Sequence, residues 1–166
     1  MSETPSNPLD GMDLDAMMEE IISMAEGMDR NAQERYTEML PRLVVTVTGD
    51  DQQLPEAIAS GRLVVDDCTF ALRFNADSGQ LEFFCDVGVP AYHSREETYR
   101  KALEFNLCRT IPGIALGVHP SSGRIVATAS LHMLMVSDAS VCVQMIDTLK
   151  GVVQELRASG ELALED

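Results

Sequence analysis

The chain has 166 residues and a mass of 18.2 kDa, enough for one domain with a real hydrophobic core. Lys and Arg number 12 against 27 Asp and Glu, a formal charge of −15, so the clustered cations that nucleic-acid and anionic-lipid binding require are not expected. A hydrophobic content of 45% argues against general disorder.

Met1 to Asp29 contain no Lys or Arg and carry eight acids, more than half of the net charge. The first eight residues, with Pro5 and Pro8, read as disordered. After them Leu14, Met17, Met18, Ile21, Met24, Ala25 and Met28 fall at helical spacing, with Asp13 placed to cap the helix. The stripe fits either packing on its own domain or an adaptable docking surface, because Met is flexible and polarisable. We therefore divide the chain into an acidic, Met-rich extension over 1–30, an α+β domain over 31–158 and an acidic, frayed tail over 159–166.

A second helical stretch runs from about Asn31 to Leu40, where Pro41 interrupts it. Leu43 to Val47 is ambiguous: β-branching favours a strand, while a helix continuing past a proline kink also fits. A polar connection follows, with a short turn around Leu54–Ala59. Arg62 to Asp67, Cys68 to Asn75 and Gln80 to Gly88 read as a strand meander. The second and third strands alternate apolar and polar residues across a five-residue turn. Ser94 and Glu97 stand at capping-box spacing ahead of a helix reaching Cys108. Ile114 to Val118 and Arg124 to Met133 form a second hairpin around His119–Gly123. Ser137 or Asp138 then caps a last helix to about Arg157. The order is α(α)-β-β-β-α-β-β-α. Antiparallel runs broken by helices indicate an α+β domain with a twisted antiparallel sheet.

Catalytic chemistry is not written in this pattern. His93, His119 and His132 share no helical turn and have no Cys or Glu at metal spacing. No nucleophile elbow, P-loop or dinucleotide fingerprint occurs. Cys68, Cys85, Cys108 and Cys142 form no C-x-x-C pair and read as free thiols. No apolar run approaches the roughly 20 residues of a membrane span, and the N-terminus lacks the basic and apolar regions of a signal peptide.

From about Gly61 to Leu156 the chain resembles the class I type III secretion chaperones, the Tir-chaperone family. The residues that carry the resemblance are Arg62-Leu63-Val64-Val65-Asp66-Asp67, the helix end Leu103-Glu104-Phe105-Asn106-Leu107, and the hairpin Ile114-Ala115-Leu116-Gly117-Val118-His119-Pro120-Ser121-Ser122-Gly123-Arg124-Ile125-Val126. The hairpin is similar to the family's L-G-x-x-P-x-T-G-x-V pattern. The Met-rich front segment departs from the family, whose members begin with their first helix near residue one.

The resemblance implies a homodimer in the bacterial cytoplasm that needs no cofactor and no metal. Its partner would be a secreted effector, held by an extended segment behind the secretion signal, partly by strand addition to exposed sheet edges. An acidic, Met-rich and aliphatic surface suits a basic client segment with varied apolar side chains. For client contact the expected residues are Tyr36, Leu40, Leu43, Val64, Phe70, Leu72 and Phe84, each of which also fits ordinary core burial. For dimerisation they are Leu103, Leu107, Ile114 and Leu116, with the same alternative. Two other readings stand beside this one: a YbjN-like interaction protein of the same fold, and a small-molecule enzyme with a closed pocket of perturbed titratable groups.

Overall fold

The computed structural model describes residues 14–108 and 111–165, with side chains described at Glu19 and from Asn31 onward. The expected Asp13 cap, the disordered first residues and the side chains of the Leu14–Met28 stripe lie outside the described residues.

Helix α1 spans Leu14–Thr48 as one element with Pro41 inside it. One expectation is corrected by this. Pro41 does not end the helix; it removes the backbone bond to the Thr37 carbonyl, and the rest of the ladder carries through. The helix passes through residue 30 without a break. Leu43–Val47 is helical despite its β-branching, because burial outweighs propensity. Met39, Leu40, Leu43 and Val44 are buried and Val47 packs beside them, a stripe at three- and four-residue spacing. Midway along the helix, Ala32 is buried close to the tight turn at Gly79. Tyr36 stacks on Phe74 with ring centroids 5.4 Å apart.

Helix α2, Leu54–Ser60, ends at Gly61, whose left-handed φ of 70° turns the chain into the sheet. A Cβ at Gly61 would meet the Leu72 carbonyl oxygen at 2.0 Å, so this position accepts only glycine. Strands β1 (Arg62–Val65), β2 (Cys68–Asn75) and β3 (Gln80–Gly88) follow as an antiparallel meander. Asp66 takes the positive φ of 53° that the tight β1–β2 turn needs, a conformation Asp tolerates. A short 3-10 turn at Tyr92–Ser94 leads into α3, Arg95–Cys108. Among the described residues no capping-box bond joins Ser94 to Glu97. Glu97 instead pairs with Arg100 and Lys101.

Strands β4 (Ile114–Val118) and β5 (Ile125–His132) form the second hairpin, and a 3-10 turn at Met133–Met135 precedes α4, Ala139–Ser159. Asp138 caps α4, accepting the Ser140 N–H at 2.7 Å. The sheet order is β1-β2-β3-β5-β4, antiparallel throughout. The fold is therefore the α+β, α(α)-β-β-β-α-β-β-α architecture expected from the sequence.

Register explains which face is covered. Directly opposed residues share a face. The pairs Leu63 with Phe70, Leu72 with Phe83, Cys85 with Ala127 and Leu116 with Ala127 place one apolar layer under α1 and α4. Arg157 of α4 ties this layer to the sheet end, donating to the Asp86 and Val87 carbonyls at 2.9 Å beside a register shift in β3. The tail is not frayed: Leu162 is buried, Ala91 donates to the Ala163 carbonyl at 2.8 Å, and Glu165 donates to the Val89 carbonyl at 2.7 Å. The apolar residues Leu162 and Leu164 outweigh the flanking acids Glu161 and Glu165.

Candidate functional site

Four surfaces stand out once the inner layer is closed: the two sheet edges, the outer face of the sheet and the outward face of α3. On edge strand β1, inward bonding alternates, so the N–H and C=O of Val64 point away from β2. Both are taken by one side chain. Gln53 Oε1 accepts the Val64 N–H at 2.6 Å, and Gln53 Nε2 donates to the Val64 carbonyl at 2.8 Å. The next outward N–H, that of Arg62, goes to Ser60 Oγ at 3.3 Å.

The opposite edge, β4, is treated the same way. Asn106 Oδ1 accepts the Leu116 N–H at 2.7 Å, and Asn106 Nδ2 donates to the Leu116 carbonyl at 2.8 Å. Each amide reproduces the pair of bonds that a neighbouring strand residue would make. The two differ in setting. Both are half-buried, but Asn106 sits on the fourteen-residue α3, which packs along β4, whereas Gln53 lies in the loop just before the seven-residue α2.

The outer sheet face carries Val64, Ala71, Phe84, Ala115 and Val126, interleaved with charge. The Arg73 guanidinium lies 5.4 Å from the Phe84 ring centroid, and its Nε donates to Glu82 at 2.6 Å. Asp86 pairs with Arg124, and that bond holds the guanidinium above its ordinary pKa. An open groove of about 730 Å³ crosses this face between Phe84, Asn106, Ala115 and Thr128.

Helix α3 turns Leu103 and Leu107 outward, one helical turn apart, at 68% and 84% exposure. These are the most prominent apolar side chains on that helix. Cys108 beside them is an exposed free thiol, while Cys68, Cys85 and Cys142 are buried. Burial pushes Cys142 up to about 11 and Cys85 further, so neither offers a thiolate near neutrality. His119 Nδ1 meets the Ser122 hydroxyl at 3.0 Å, and His132 Nδ1 accepts the Leu134 N–H at 3.3 Å, both local turn bonds. Among the described residues no three His, Cys, Asp or Glu side chains could hold a metal ion, and no helix is long and apolar enough to cross a membrane.

The site residues expected from the sequence divide by burial. Leu40, Leu43, Phe70 and Leu72 are buried within the protomer, packed between the helices and the inner sheet face, and present no surface to a client. Ile114 and Leu116 are buried too, under the same layer, so their place in a dimer contact is corrected to core. Tyr36 and Phe84 are half-exposed, and Val64 is exposed. Val64 and Phe84 both lie on the outer face, and Tyr36 lies on α1 against Phe74. Gln53 and Asn106 were missed. Gln53 follows another glutamine and Asn106 stands between Phe105 and Leu107, and only the tertiary fold brings either amide to an edge.

No protein-family model and no curated protein sequence matches the chain. Solved structures do. A chain of the HopA1–SchA chaperone–effector complex superposes with a TM-score of 0.54 at 15% identity, covering 75% of this chain and 94% of that one. A chain of the heterodimeric ExoU–SpcU complex, from the type III secretion system of Pseudomonas aeruginosa, gives 0.51 at 16%, covering 75% and 98%. A chain of the ExsC–ExsE complex gives 0.51 at 16%, covering 58% and 72%. The fold is that of a type III secretion chaperone. At these identities the likeness is one of architecture. It assigns the five-stranded sheet with its four helices to the chaperone fold, and leaves the surfaces to be argued from the residues.

Proposed function

We propose that this chain is a non-enzymatic secretion chaperone of the bacterial cytoplasm. It acts as a homodimer that holds the N-terminal segment of an effector in extended, non-globular form for a type III system. The observation that carries this reading is the superposition on chains from chaperone–effector complexes over three quarters of the molecule. The surfaces described above support it. Shape and hydrogen bonding at a sheet edge suit an extended segment, whose main chain supplies affinity and whose alternate side chains supply specificity.

Client contact is assigned to Val64 and Phe84 on the outer face, with Tyr36 on α1. Dimerisation is assigned to the outward pair Leu103 and Leu107. Exposed apolar side chains at helical spacing are a contact surface in need of a partner, and a second copy presents the same pair across a two-fold axis. The acidic extension over 1–30 is kept as an added module in front of the domain. Negative charge there favours encounter with a basic client segment and keeps the complex in solution.

The reading is tested by affinity purification of the full chain from its native bacterium, followed by mass spectrometry. The expected result is one larger protein at one copy per two chains, retained when cut back to its N-terminal segment. A partner that binds through a folded domain, or none in stoichiometric amount, overturns it.

A further inference from the structure

The two sheet edges are closed by the same device and differ in how firmly it is held. At β4, Asn106 is half-buried on a fourteen-residue helix that packs along the strand, and the Ile114 N–H is also taken, by the Ile111 carbonyl at 3.2 Å. That edge is held at the N–H of Ile114 and at both polar groups of Leu116. At β1 the closure is a single, half-buried long side chain reaching in from the loop before the seven-residue α2, together with the hydroxyl of Ser60. Nothing else described covers the outward groups of Val64, and the Val64 side chain is itself 40% exposed.

A side-chain amide that satisfies both main-chain groups of one edge residue protects the strand from pairing with other chains. It also competes with any strand that pairs there by intent. Glutamine has three side-chain torsions before its amide, so the free rotamer is reached by bond rotation alone, without moving α2 or β1.

We infer that Gln53 is an intramolecular plug on the β1 edge, and that an extended polypeptide gains this edge by displacing its amide from Val64. The occupant is a short apolar-alternating segment with basic ends. Asp50 and Asp51, exposed just ahead of Gln52 and Gln53, place acids along the approach, while Glu56 on α2 is paired with Arg62 of β1 at 3.8 Å. Asp66 and Asp67 at the far end of β1 are already engaged by Lys150, Gln154 and Arg157. The β4 edge stays shut. The inference rests on the extended-client reading and adds to it which edge opens and which residue sets the affinity.

The test uses the full chain and a fluorescein-labelled synthetic peptide, Lys-Thr-Val-Thr-Val-Thr-Lys, read by fluorescence anisotropy and by amide chemical shifts. Gln53→Ala removes both competing bonds. At the usual net worth of a hydrogen bond it tightens peptide binding about tenfold. Gln53→Glu keeps an acceptor for the Val64 N–H and loses the donor, so its affinity falls between the two. In all three proteins the peptide shifts the Val64 amide and leaves Leu116 unmoved. Equal or weaker binding by Gln53→Ala, shifts centred on Leu116, or no binding by any variant overturns the plug. The peptide contains no client sequence, so that failure would leave the chaperone reading to be judged by its own purification experiment.

Discussion

The side-chain amide of Asn106 grips the backbone of Leu116 by both polar groups, at 2.7 and 2.8 Å, and so stands in for a strand that the sheet does not have. Asn106→Ala leaves the Leu116 N–H and carbonyl half-buried without these partners. The expected cost is about 1–3 kcal/mol in urea unfolding, the penalty for orphaning such groups. An unchanged midpoint would mean that water replaces the amide freely, and that the β4 edge is not sealed.

Leu103 and Leu107 predict a second outcome. Both are exposed in the protomer, so Leu103→Glu with Leu107→Glu spares the fold and strikes whatever covers them. A carboxylate buried at an apolar contact is strongly unfavourable. Light scattering is expected to give twice the chain mass of 18.2 kDa for the native protein and the single chain mass for the double variant, with the same circular dichroism. A variant that keeps the native mass removes this pair from the interface.

The tail gives a third. Leu162 is buried and its neighbours pair with residues 89–91, so Leu162→Ala destabilises the domain by about 2–3 kcal/mol, as core leucines do. A tail that contributed nothing would show no change in the urea midpoint.

Two carboxylates contribute to stability in a pH-dependent way. A hydrogen bond from Gln154 is the largest influence holding Asp67 below its ordinary value of 3.8, and the Ser140 hydroxyl and N–H do the same for Asp138. Their folded pKa values lie below the unfolded ones, so the folded state binds fewer protons. The stabilisation is complete above the unfolded pKa and is lost as pH falls through the folded values. Urea midpoints measured from about pH 6 down to about pH 3 should fall below about pH 4, with these two groups contributing part of the fall. Asp67→Asn with Asp138→Asn should flatten that fall, and an identical slope would assign it to other carboxylates.

The strands were legible because their alternation survives folding. Cys68–Asn75 and Gln80–Gly88 occupy the spans that period two predicts, and Asp138 caps the last helix where a capping residue stands. The long α1 was not, since Pro41 and the β-branched run beyond it argue locally for a break. Only the buried stripe through Leu43 and Val44 decides for helix. The candidate site was half legible. Val64 and Phe84 alternate onto the outer face, and Leu103 with Leu107 share a helix face. Phe70 and Leu72 obey the same alternation but face inward, a choice between two faces that no single strand records. The roles of Gln53 and Asn106 depend on contacts across 11 and 10 residues of chain, and an isolated amide carries no sign of them.

The central claim is that the chain holds a client segment unfolded. Amide hydrogen exchange by mass spectrometry on the purified complex tests it most directly, with the client's N-terminal fragment alone as reference. The free fragment is expected to exchange fully within the shortest labelling time. In the complex, one contiguous stretch of it becomes protected together with β1 of the chaperone. A fragment already protected when free, or a complex in which β1 exchanges as before, would contradict it.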